Sequence, residues 1–176
     1  GNLVLLDPAS GRTRRIEVGH TPSAVAVTAD GGTAYVCNRF SNDISVVDLE
    51  RRRETARLAV AREPVACALT PDDGTLFVAN HLPVGSANGA YTAACISVIP
   101  TARPDAMTTI DLPNGSTGLR GLCVSPDGVN VYVTHVLARY QLPTTQLERG
   151  WMNTNALTVI DALKGAYVNT VLVDDV

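Results

Sequence analysis

The side chains best suited to chemistry in this sequence are its histidines and arginines. His20, His81 and His135 are the only imidazoles, and arginine supplies all but one of the 14 positive side chains. Imidazole binds metals and moves protons near neutral pH, and guanidinium offers a planar fork of donors for carboxylates. The arginines that fall near the histidines, or in interrupting segments, are Arg39, Arg62, Arg120, Arg139 and Arg149, with Tyr140 and Trp151 beside the last two.

Several chemistries are excluded by spacing. His81 and His135 are weak candidates for a metal pair, since nothing places a third ligand at a fixed interval from them, and no metal site is assigned. The four cysteines, Cys37, Cys67, Cys95 and Cys123, are spaced by 30, 28 and 28 residues, with no CxxC pair and no CxxCH haem-attachment motif. Four cysteines permit three disulfide pairings. The apolar runs "AYVCN", "PVACAL" and "GLCVS" point instead to free, buried thiols. No GxSxG elbow occurs, and Ser45, Ser125, Asp48, Asp111 and Asp161 fall where strand or turn residues are ordinary. No catalytic residue is assigned, and the histidines, arginines, Tyr140 and Trp151 are read as binding groups.

The elements that must position them repeat. "TADGGTAYVCN" at 28–38, "TPDDGTLFVAN" at 70–80 and "SPDGVNVYVTH" at 125–135 share one plan, and their aspartates Asp30, Asp72 and Asp127 are 42 and 55 residues apart. Asp-Gly between β-rich runs is a hairpin signal. An apolar run precedes each hairpin, and two more strands follow: "DISVVDL" and "ETARLAV", "CISVIP" and "MTTIDL", "ALTVID" and "YVNTVLV". Four-stranded units recurring at this interval, without helical periodicity, predict an all-β propeller.

On this reading residues 1–20 end one blade, and 21–62, 63–116 and 117–176 form three more. About three and a half blades predict a larger ring, since closed propellers hold four to eight blades, and the family resemblance given below implies about seven. The ring would be completed by further chain or by a second copy. Opening on Gly, within a strand, the chain reads as a piece of something longer.

In such a fold the Asp-Gly hairpins share one rim, which offers little room for chemistry, and the blade links and second-to-third strand loops share the other. The second rim carries the insertions "HLPVGSANGAYTAA" at 81–94 and "VLARYQLPTTQLERGWMNTN" at 136–155, together with every histidine and arginine singled out above. The second insertion mixes Arg139, Tyr140, Arg149 and Trp151 with Leu137, Leu142, Leu147 and Met152. This composition predicts packing onto the propeller or contact with a protein partner.

The strand endings "YVCN", "FVAN" and "YVTH", following an S/T-P-D-G turn and followed by "ISVVD" or "LTVID", resemble the YVTN-type propeller repeat. The segment at 118–161 is also similar to the propeller portion of bacterial proteins that join YVTN repeats to c-type cytochrome domains of the di-haem peroxidase type. That resemblance implies an extracytoplasmic scaffold with an electron-transfer role. Any c-type haem would sit in a separate domain, so no cofactor is assigned to this chain.

Two alternatives stay open. A lactonase-like propeller enzyme would require His20, Arg62, Glu63 and His135 to converge, and a cell-surface adhesion propeller would require further repeats. The net charge of −3 excludes a general nucleic-acid binder, and no apolar run is long enough to cross a bilayer as a helix.

Overall fold

A computed structural model describes residues 1–138 and 152–173. It is built almost wholly from antiparallel strands. β1 (Asn2–Leu6) and β2 (Thr13–Glu17) form a two-stranded sheet. The second sheet runs in chain order through β3 (Pro22–Val27), β4 (Thr33–Asn38), β5 (Asp43–Asp48) and β6 (Arg53–Ala59). The third does the same through β7 (Pro64–Leu69), β8 (Thr75–Asn80), β9 (Cys95–Pro100) and β10 (Thr108–Asp111). In the fourth, β11 (Ser116–Thr117) and β12 (Leu122–Val124) both pair with β13 (Asn130–Ala138), which continues to β14 (Asn153–Asp161) and β15 (Ala166–Leu172). The short β11 was absent from the sequence expectation.

The hairpin chemistry explains the recurring turn. Thr28 donates its hydroxyl to Asp30 Oδ1 at 2.6 Å, and the same oxygen accepts Gly32 N–H at 2.8 Å. Thr70 and Gly74 do this to Asp72, and Ser125 and Val129 to Asp127. The Thr28, Thr70 and Ser125 hydroxyls also accept the backbone N–H of Thr33, Thr75 and Asn130, closing each turn onto the next strand. The fourth turn residue is left-handed in every copy: Gly31 at φ 70°, Asp73 at 57° and Gly128 at 72°. Glycine removes the Cβ penalty there. Asp73 bears that penalty and accepts Ala29 N–H from the neighbouring hairpin at 2.8 Å.

Sheets stack face to face through the middle strands. On β4, Ala34 and Val36 face the first sheet with Ile16, Val18 and Val47, while Tyr35 and Cys37 face the third with Leu76, Val78 and Ile99. On β8 the pattern repeats: Leu76 and Val78 face back, and Phe77 and Ala79 join Val131, Val133 and Ile160 of the fourth sheet. Such strands are buried on both faces, which is why "AYVC" and "LFVA" are continuous apolar runs rather than alternating ones. β3 lies beside β7, and β7 beside β12.

The first sheet is the exception. Among the described residues β1 pairs only with β2, so its other edge is open. Val25 and Val27 on β3 look toward that gap and are 49% and 48% exposed, whereas their counterparts Cys67 and Leu69 on β7 pack into the core. The cysteines are free: Cys37 and Cys95 are buried and Cys67 half-buried. Cys123, expected in the interior, is exposed, because it lies on the outer face of the last sheet.

Candidate functional site

One residue of each hairpin pair settles what the strand-ending Asn or His does. Asn38 Nδ2 donates to Ser45 Oγ and to Asp43 Oδ1, both at 2.7 Å. Asn80 Nδ2 donates to Ser97 Oγ and to the Cys95 carbonyl, both at 3.0 Å. His135 occupies the same place in the fourth sheet, 2.8 Å from Thr158 Oγ1 through Nε2 and 3.2 Å from the Val136 carbonyl through Nδ1. A carbonyl can only accept, so Nδ1 carries the proton and neutral Nε2 accepts the Thr158 hydroxyl, which in turn accepts from Thr170. Burial holds the His135 imidazole below its ordinary pKa, opposed weakly by the Val136 bond. This histidine is a bridge between second and third strands, in the interior.

The other loop-rim residues fall into a connected group and several separate ones. His20 stacks on Phe40 with ring centroids 5.9 Å apart, and the Arg39 guanidinium lies 5.4 Å from the same ring. Arg39 reaches across to the next sheet, placing Nε 2.9 Å and one terminal nitrogen 2.8 Å from Glu63 Oε2. The line His20, Phe40, Arg39, Glu63 therefore runs from one inter-sheet link, through the 39–42 loop, to the next link.

Backbone geometry holds this line in place. Phe40 N–H bonds the His20 carbonyl, Arg39 N–H the Thr21 carbonyl and Glu63 N–H the Asn42 side chain. Thr21, Asn42 and Glu63 all adopt left-handed backbone, at φ 54°, 56° and 55°. For a β-branched residue such as Thr21 this conformation is costly, and it is held by the surrounding bonds. Phe40 is 56% exposed. An exposed aromatic flanked by imidazole and guanidinium is a composition that anchors protein contacts.

Phe40 was missed by the sequence reading, although an isolated Phe in the polar loop "RFSND" is a usable signal. Arg62 donates to the Pro83 carbonyl at 3.4 Å, and His81 Nδ1 meets the Leu119 carbonyl at 2.8 Å. Arg120 is exposed, its backbone bonded to Thr134. Arg139, Tyr140, Arg149 and Trp151 lie outside the described residues. None of the hydrogen bonds made by His20, Arg62, Glu63 and His135 joins two of these four: His20 meets Thr21 and Ser41, Arg62 the Pro83 carbonyl, Glu63 Arg39 and Asn42, and His135 Thr158 and Val136. Among the described residues no group of three or more His, Cys, Asp or Glu side chains could hold a metal.

The 81–94 insertion folds on itself. Val84 bridges Ala93, Thr92 donates to the Ser86 carbonyl, and the Tyr91 hydroxyl donates to the Leu112 carbonyl at 2.5 Å. Asn114 clamps it by donating to the Ala90 carbonyl and accepting Thr92 N–H. The hairpin rim, expected to offer little room for chemistry, holds a cleft of about 320 Å³ between Thr70, Pro71, Asp72, Asp127, Gly128 and Leu163. Oδ1 of both its aspartates is engaged by hairpin bonds.

No family model matches the chain, and no curated protein does. Solved structures do. The chain is similar to the hydrazine synthase of Kuenenia stuttgartiensis, with 26% identity and a TM-score of 0.54, over 99% of this chain and 60% of that one. It is similar in fold to the tricorn protease, at 16% identity and TM-score 0.56, over 89% of this chain and 15% of that one. A third likeness, at 14% identity and TM-score 0.58, is to a functionally unknown protein from Desulfotomaculum acetoxidans, over 96% of this chain and 49% of that one. The chain thus spans between about a seventh and three fifths of these proteins. It is an almost wholly β chain of curled antiparallel sheets, consistent with propeller blades.

Proposed function

We propose that the chain is a run of YVTN-type propeller blades serving as a non-catalytic binding scaffold in a larger extracytoplasmic protein with an electron-transfer role. Residues 1–20 close one blade, and 21–62, 63–116 and 117–176 make three more of a ring of about seven. Further chain or a second copy completes the ring, and a c-type haem belongs to another domain.

The observation that carries this reading is the contrast between the two rims. Bonds that recur in every hairpin occupy one rim, while the unrepeated group of His20, Phe40, Arg39 and Glu63 occupies the other. Residues repeated in each sheet serve the sheet, and unrepeated ones on exposed loops are free to serve a partner.

Native mass spectrometry of the isolated chain tests the proposal. The expected spectrum holds the chain mass, alone or doubled, with no retained metal or organic cofactor. A stoichiometric bound metal that survives buffer exchange would overturn the non-catalytic reading in favour of an enzyme.

A further inference from the structure

The joint between the second and third sheets contains a pair of thiols that no other joint repeats. Cys37 on β4 has no exposed surface and belongs to the cluster of Tyr35, Ile44, Leu76, Val78 and Ile99. Cys67 on β7 packs against that cluster from the opposite sheet. Its Sγ lies 3.9 Å from the carbonyl of Tyr35, two residues before Cys37 on the same strand, so the packing brings the two side chains to one joint. At the next joint the matching positions are Ala79 and Leu122, an ordinary apolar contact. The repeat therefore does not require cysteine at either place, and two have been brought together at one joint only.

Their surroundings differ in a way that sets an order of reaction. Cys67 is half-buried, whereas Cys37 is sealed. We propose that Cys37 and Cys67 form an intramolecular disulfide, pinning β4 to β7, when the folded chain meets a low-molecular-weight disulfide such as oxidised glutathione.

In the first step the Cys67 thiolate attacks one glutathione sulfur, forming a mixed disulfide and expelling one glutathione thiolate. In the second, the Cys37 thiolate attacks the Cys67 sulfur and expels the other. Two protein thiols are oxidised, one glutathione disulfide is reduced to two thiols, and two protons leave the protein. Hydrogen bonding to Cys67, then burial, hold the Cys37 thiol well above its ordinary pKa, so the second step accelerates as pH rises.

The test uses the folded chain carrying Cys123→Ser, which removes exchange at the exposed thiol. Incubation with oxidised glutathione at mildly alkaline pH is expected to end in a product lighter by about 2 Da, reversed by dithiothreitol. Peptide mapping is expected to find the 37–67 linkage, and the melting temperature is expected to rise. With Cys37→Ala added, the reaction is expected to stop at a glutathione adduct on Cys67. A stable adduct on Cys67 in the Cys37-containing protein would overturn the proposal. So would a linkage involving Cys95, or a 37–67 linkage that forms only after unfolding in urea.

Discussion

At the scale of single residues, the three hairpin aspartates act as ionised acceptors. The Thr28 hydroxyl and Gly32 N–H hold Asp30 below its ordinary pKa, and Thr70 with Gly74, and Ser125 with Val129, do the same for Asp72 and Asp127. A carboxyl whose pKa is depressed by folding contributes stability above its unfolded value, and loses it as pH falls through the folded one. Thermal melts between about pH 5 and 2 are expected to fall steeply, and the fall is expected to flatten in the variant D30N/D72N/D127N. His135 has the same sign for a different reason. Its folded pKa lies below 6.5, so the unfolded chain takes up a proton first and stability declines as pH drops below that value. Since Asn stands at the matching positions 38 and 80, His135→Asn is expected to fold and to remove this decline. An unchanged pH profile in the variant would show that another group titrates there.

At the scale of elements, the middle strands carry the packing. Phe77, Leu76 and Val78 are each fully buried, with Phe77 in the core between the third and fourth sheets. Phe77→Ala is expected to destabilise by about 3–5 kcal/mol, read by urea denaturation, because the cavity is walled by two rigid sheets. These strands were legible in the sequence, since the turn that starts each one spends its whole chemistry within six residues. The exposure of Cys123 was not legible, because an apolar run does not say which of its faces a neighbour covers. The group around Phe40 was hidden for another reason. Its members, at 20, 39, 40 and 63, come from three separate segments that only sheet stacking brings into contact. The sequence places His135 at the loop rim, and its burial follows from a side-chain direction that strand ending alone does not fix.

At the scale of the whole molecule, the repeated architecture was the most legible feature, because each sheet needs a neighbour on each face and the sequence repeats accordingly. Among the described residues the first and the last sheets depart from that rule, the last through the face that carries exposed Cys123. Among the described residues the edge of β1 away from β2 has no partner strand, and it lies beside exposed Val25 and Val27, a combination that recruits added strands. Association of the isolated chain is therefore expected to grow with concentration in sedimentation velocity runs. Val25→Lys is expected to suppress it without altering the fold, and association that is indifferent to this change would locate the contact elsewhere. Dilution then becomes a structural variable. Below some concentration this edge meets only water, and above it the same edge acts as a seed on which another strand can register.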